Sequence, residues 1–172
     1  MRHRMHGVLI LTLVGCPHVF AETGKALIKG TTEGSEVSGT ATLTDTPEGL
    51  KLTAQVAHVS PGTHGFHVHQ YGNCEDVGKA AGGHYNPDGV KHGFLPKDGL
   101  TGAHAGDLGN IEIGADGTGR VELTLQNLRL SGGKYSVGGR AIVLHEKADD
   151  FGQPTGNAGG RIGCGVIVIT GE

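Results

Sequence analysis

LKLTAQV, residues 50–56, alternates apolar and polar side chains without a break, so Leu50, Leu52, Ala54 and Val56 share one face of an extended chain. Successive side chains of a strand point to opposite faces, and period two therefore reads as a strand with one face buried. The alternation recurs in GNIEI (109–113), through Ile111 and Ile113, and in RVELTLQNL (120–128), through Val121, Leu123 and Leu125. GRAIVLH (139–145) and CGVIVIT (164–170) are more continuously apolar, as strands covered on both faces are. KALIKG (25–30) and SGTATLT (38–44) are further strands. Between them, TPEG (46–49), SPG (60–62), ADGTG (115–119) and SGGK (131–134) punctuate the chain as turns. No amphipathic helix stands out and the spacing is not that of βαβ units. Seven or eight short strands predict an all-β sandwich or barrel.

Composition agrees. The 172 residues suit one domain, and no linker, repeat or second domain is visible. Glycine is abundant, 33 residues, against an average usage near 7 %. With no G-X-Y period and six prolines, this is neither collagen nor a Pro-rich linker but a frame rich in tight turns. A formal charge of −3 gives no reason to expect nucleic acid or an anionic membrane surface as partner.

The first residues differ from the rest. MRHRMH is basic and GVLILTLVG is a short apolar run, the pattern of an export signal too short to span a bilayer. Two cuts compete. VFA, ending at Ala21, suits ordinary signal peptidase and leaves a domain at 22–172. LVGC resembles a bacterial lipobox, with a leader of 1–15 and a lipid anchor on Cys16. Either cut removes Cys16 as a free thiol and leaves Cys74 and Cys164, which an oxidising compartment would join. Two independent buried thiols are the other reading.

Two stretches, 71–108 and 146–163, break the strand pattern; they are long, polar and Gly-rich. Loops of that length are usually functional. Past the leader the histidines are 58, 64, 67, 69, 84, 92, 104 and 145. His67 and His69 sit at i and i+2, on one face of a strand and about 6.6 Å apart along it, where two imidazoles can converge on one ion. His145 closes an apolar strand. His84, His92 and His104 share the first loop with Asp107. Taken singly, each is more often an ordinary polar residue; together they form a ligand set of imidazoles and a carboxylate, which suits copper and zinc.

GFHVH (65–69), GGHYNPDGVKHG (82–93), HAGDLGN (104–110) and LHEKADDFGQPTGNAGGRIGCGVI (144–167) resemble, in order, the motifs of copper–zinc superoxide dismutases. The resemblance implies an eight-stranded Greek-key β-barrel with two long functional loops. It implies copper on His67, His69, His84 and His145, and zinc on His84, His92, His104 and Asp107, with His84 bridging. It implies that Asp149 links His67 to His92, that Arg161 orients the superoxide anion, and that the Cys74–Cys164 disulfide tethers the loop. The segment between His69 and Cys74 is short, as in bacterial members, which leaves the loop shape and a homodimer open; with the leader, the resemblance implies an exported, periplasmic protein, soluble or lipid-anchored. Lys91 and Lys97 could add to the attracting field. His64 reads as a structural hydrogen-bonding residue, and His58 has no assigned role. The competing reading is a non-catalytic copper- or zinc-binding module of the same fold. A zinc hydrolase fits poorly, because no general base stands beside the ligands.

Overall fold

The computed structural model describes residues 21–171. The expected leader and Cys16 lie outside the described residues. Eight strands form β1 (Thr23–Gly30), β2 (Ser38–Thr46), β3 (Gly49–Ala57), β4 (Gly62–His69), β5 (Asp107–Ile113), β6 (Gly119–Leu125), β7 (Ala141–His145) and β8 (Arg161–Gly171). They close an antiparallel barrel in the order β1-β2-β3-β6-β5-β4-β7-β8. The steps from β3 to β6 and from β4 to β7 join strands far apart in sequence, which is the Greek-key crossover.

Alternation decides which side chains fill the barrel. Leu50, Leu52, Ala54 and Val56 of β3 all point inward, none more than 3 % exposed. They meet Ala26 and Ile28 of β1, Ala41 and Leu43 of β2, and Ile142 and Leu144 of β7. Burying each large aliphatic side chain stabilises the fold by about 1.5–3 kcal/mol. β6 ends at Leu125, sooner than RVELTLQNL suggests. Asn127, in the left-handed region at φ 67, turns the chain away; asparagine tolerates that region better than most residues.

β4 and β7 are buried on both faces, and this positions the site. Phe66, Val68, Ile142 and Leu144 face the barrel core. The alternate residues, His67, His69 and His145, face outward yet are no more than 5 % exposed. The two long loops lie over them. Beneath those loops Ala81, Ala141, Val143 and Cys164 form a second, small apolar cluster against Cys74.

The loops are less irregular than their composition predicts. The first carries a 3-10 turn at Lys79–Ala81 and an α-helix, α1 (Leu95–Gly102), which corrects the helix-free expectation. Pro96 pre-sets the first turn of α1 and Asp98 accepts the Phe94 N–H at 2.9 Å. Gly99 interrupts the helix at φ 65, so it is too short and broken for a 3.6-residue period to show. α1 packs against β5 and β6, whose own pairing is limited to Ile113 with Gly119. Asp107 and Arg161 begin strands instead of lying within loops.

Candidate metal centre

Three elements, with the first residue of β5, Asp107, bring the ligand-type residues together. β4 supplies His67 and His69, and β7 supplies His145 beside them. The first loop then returns along the end of β4. Tyr85 N donates to Val68 O and Val68 N to Gly106 O, both at 2.9 Å, which sets His84 opposite His69. The approach is so close that a Cβ on Gly106 would lie 2.1 Å from Val68 O; glycine is required there. Two clusters result, one of His67, His69, His84 and His145, the other of His84, His92, His104 and Asp107. In each cluster one ligand atom per residue falls within 4.8 Å of all the others, and His84 belongs to both.

The donor atoms fit metal ions. His67 Nε2 donates to Asp149 Oδ2 at 2.8 Å, leaving Nδ1 buried with no hydrogen-bond partner. His69 Nδ1 donates to Gly82 O at 3.0 Å, leaving Nε2 only 3.2 Å from His145 Nε2. His92 Nε2 donates to Asp149 Oδ1 at 2.9 Å. His92 Nδ1 then stands 2.9 Å from Asp107 Oδ2, and His104 Nδ1 3.1 Å from Asp107 Oδ1. Neither contact has the geometry of a hydrogen bond. Buried ring nitrogens and carboxylate oxygens crowded this closely could hold a cation among them. Asp107 is aimed by the Gly93 and His104 N–H groups, at 3.0 and 2.9 Å, and its Oδ1 lies 2.8 Å from His84 Nδ1. Imidazole donors alone make up one cluster, and three imidazoles with a carboxylate the other. The first suits copper and the second a closed tetrahedral zinc site.

Electrostatics separates the clusters. Burial, with His84 adding to it, holds His69 at about 2. Burial and His67 hold His145 at about 3, and burial holds His84 at about 4 against the pull of Asp107. These rings are neutral at pH 7 and offer lone pairs. Burial also pushes His92 down, but Asp107 and Asp149 outweigh it and lift His92 to about 9. Both carboxylates resist their own burial. Asp107 is held far below the usual carboxylate range by His104, His84 and His92, and Asp149 by His67, His92 and the Phe151 N–H.

Arg161 stands at the mouth. Its Nη1 donates to Gly78 O at 2.5 Å and Nη2 to Gly82 O at 2.6 Å, the same carbonyl that takes His69 Nδ1. Burial lowers its pKa, and guanidinium still remains a cation. With His69, His84, His145, Thr155 and Asn157 it lines a pocket of about 180 Å³. Cys74 and Cys164 are joined, with Cα atoms 5.7 Å apart, so the loop holding Gly78 and Gly82 is pinned to β8. The alternative of two free thiols is set aside.

His64 is buried between carbonyls, with Nδ1 2.8 Å from His145 O and Nε2 2.9 Å from Ser60 O, in keeping with a structural role. His58 is exposed at φ 59, its Nδ1 3.4 Å from Ser38 Oγ. Lys91 and Lys97 are exposed and do not line the Arg161 pocket. A larger cleft, about 760 Å³, lies on the outer wall among β2, β3 and β6 and contains none of the site residues. Five further residues at the site carry no ligand signal in the sequence: Gly82 and Phe151 act through backbone atoms, Thr155 and Asn157 line the pocket, and Asn110 bonds the Asp149 backbone through its side-chain amide.

Residues 37–167 match the family model of copper/zinc superoxide dismutase. The chain is 40 % identical over 148 residues to superoxide dismutase [Cu-Zn] of Onchocerca volvulus, covering 79 % of this chain and 91 % of that one. It is 34 % identical over 176 residues to the extracellular superoxide dismutase [Cu-Zn] of Brugia pahangi, covering 96 % and 85 %. Among solved structures, that of the clock protein EA4 superposes with a TM-score of 0.75 at 38 % identity, covering 86 % of this chain and 94 % of that one. A closed eight-stranded barrel carrying two ligand clusters that share one histidine, together with a family match over most of the chain, leads to one conclusion: the chain belongs to the copper/zinc superoxide dismutase family.

Proposed function

We infer that the protein is an exported superoxide dismutase that turns two superoxide anions and two protons into dioxygen and hydrogen peroxide, protecting the cell envelope. The observation that carries this reading is His84, one buried ring belonging to both ligand clusters. His67, His69, His84 and His145 are the copper ligands; His84, His92, His104 and Asp107 are the zinc ligands. Copper, when bound, supplies a one-electron Cu(II)/Cu(I) cycle that oxidises one superoxide and reduces the next, while redox-silent zinc holds the shared ring in place.

The chain's own groups do the rest. His84 Nδ1 lies on the Asp107 side, so Nε2 is the nitrogen left for the other cluster. A ring flanked by two cations can give up both N–H protons. Nε2 can then take up a proton in one half of the cycle and hand it to the departing peroxide in the other. Asp149 fixes the tautomers and orientations of His67 and His92 by accepting from both. Arg161 holds its charge toward the small pocket and orients an anion beside His69 and His145. A pocket of about 180 Å³ has room for a diatomic anion.

The test is the protein loaded with copper and zinc, assayed for superoxide dismutation, with its visible and electron-spin spectra recorded. Activity with a copper spectrum altered by zinc removal is expected. A protein that binds zinc and stays inactive after copper loading would support the non-catalytic module instead. The leader, together with the extracellular relative, supports export; the periplasm of a bacterial envelope and a lipid on Cys16 are finer proposals. Mass spectrometry of the mature N-terminus separates Cys16 from Glu22. A homodimer is also proposed, supported by Leu27 and Val168, each more than half exposed on the neighbouring strands β1 and β8; sedimentation tests it.

A further inference from the structure

The segment after β7 crosses the outer wall of the barrel and is stitched to it at two places. Gly65 N on β4 donates to Lys147 O at 2.8 Å. On β5, opposite Gly65, Asn110 uses both ends of its amide. Its Nδ2 donates to Asp149 O at 2.9 Å, and Asp149 N donates to Asn110 Oδ1 at 2.7 Å. A side-chain amide thereby reproduces the reciprocal pair of bonds that two antiparallel strands exchange. The clamp fixes the Asp149 backbone from both sides.

What hangs from that backbone is the carboxylate shared by the two clusters. Its Oδ2 accepts from His67 at 2.8 Å, and Oδ1 accepts from His92 at 2.9 Å and from Phe151 N at 2.8 Å. An aspartate side chain has two rotatable bonds and little reach. With both oxygens already committed, it cannot follow a displaced backbone and keep both rings. Ala at position 110 removes both bonds, and Asp keeps the acceptor but loses the donor.

We propose that Asn110 is a positioning residue for metal retention, which holds Asp149 where one carboxylate can orient His67 and His92 together. The proposal rests on the ligand assignment above. Groups that orient metal ligands typically change affinity by about 10–100-fold when removed. Asn110 acts one step further out, so its loss is expected to have an effect at the lower end.

The experiment measures zinc release from the copper- and zinc-loaded full chain to a chromophoric chelator at pH 7. Asn110→Ala should release zinc about tenfold faster than wild type, and Asp149→Asn about 10–100-fold faster. The double variant should match Asp149→Asn alone, because the carboxylate that Asn110 positions is already gone. A merely structural Asn110 would speed release by the same factor in both backgrounds, and that result overturns the proposal. Glu112→Ala, whose carboxylate accepts from Thr63 Oγ1 on the same stretch of wall, should leave release unchanged. If Asn110→Ala does not fold, Asn110→Asp carries the test through the cobalt-substituted zinc site. An altered d–d spectrum with faster release supports the proposal, and wild-type values for both overturn it. Wild-type protein that takes up neither zinc nor cobalt overturns the ligand assignment itself; wild-type protein that holds them while the Asn110 variants match it overturns this inference alone.

Discussion

Gly156→Ala approaches the Asp149 carboxylate from its other side, and its effect can be worked from the geometry. Gly156 lies at φ +74, and a Cβ built there falls 1.8 Å from Asp149 Oδ1 and 2.7 Å from His92 Nε2. Ordinary van der Waals contact begins near 3.4 Å, so the carboxylate oxygen must retreat by about 1.6 Å. The His92 Nε2 to Asp149 Oδ1 bond is 2.9 Å long, and a retreat of that size breaks it. Two effects add. Left-handed backbone costs a non-glycine residue about 1–2 kcal/mol of fold stability. Loss of the oriented histidine lowers zinc affinity by about 10–100-fold, or about 1.4–2.7 kcal/mol. Gly89→Ala isolates the first effect, since Gly89 is at φ +64 with nothing within 4 Å of its built Cβ. Both variants should lower the thermal midpoint of the metal-free protein, and Gly156→Ala alone should lose zinc affinity in chelator competition. Equal zinc affinity in the two variants would refute the role given to Asp149.

Arg161→Ala should slow dismutation at least tenfold, on the order expected for loss of a focusing charge, with copper content by elemental analysis unchanged. Arg161→Lys should recover part of the rate because it restores the charge without the paired bonds to Gly78 and Gly82; an unaltered Arg161→Ala rate at low ionic strength would sink the assignment. Replacing Cys74 and Cys164 by serine opens a covalent loop spanning 90 positions, and chain entropy puts the loss at about 4–5 kcal/mol. A denaturant midpoint corresponding to less than about 1 kcal/mol would contradict that estimate. Zinc uptake should release close to one proton at pH 7, because His92 at about 9 is protonated in the metal-free chain and must shed that proton to become a ligand. The sign is fixed: apparent zinc affinity rises with pH up to about 9 and then levels. The stability that protonated His92 lends the metal-free fold, complete below its ordinary 6.5, is lost as pH rises through about 9. Calorimetry in buffers of differing ionisation enthalpy measures the proton count, and a count near zero would contradict the pairing of His92 with Asp107 and Asp149.

The all-β class was legible because strand alternation is a local property. Leu50, Leu52, Ala54 and Val56 share a face whatever surrounds them, and burial against the opposite wall follows. The H-x-H of His67 and His69 is legible for the same reason. α1 escaped because Pro96 and Gly99 leave too few residues for a helical period, and its stability comes from packing on β5 and β6. The starts of β5 and β8 escaped because Asp107 and Arg161 carry no alternation signal; the pairings of Asp107 with His67 and of Arg161 with His145 define them.

What the sequence determined by itself is the identity of the ligand types and the face from which two of them point, since both follow from side-chain chemistry and a repeat of two residues. The shared His84 and the Asp149 link were implied by resemblance only; tertiary structure decided that His84 reaches both clusters, that His67 and Asp149, 82 positions apart, share a hydrogen bond, and that Asn110 and Gly156 shape that carboxylate. Those relations run through backbone carbonyls, single amide side chains and absent Cβ atoms. None of these has a period, so nothing in local side-chain chemistry announces them until the loops fold down over the outer wall and bury it.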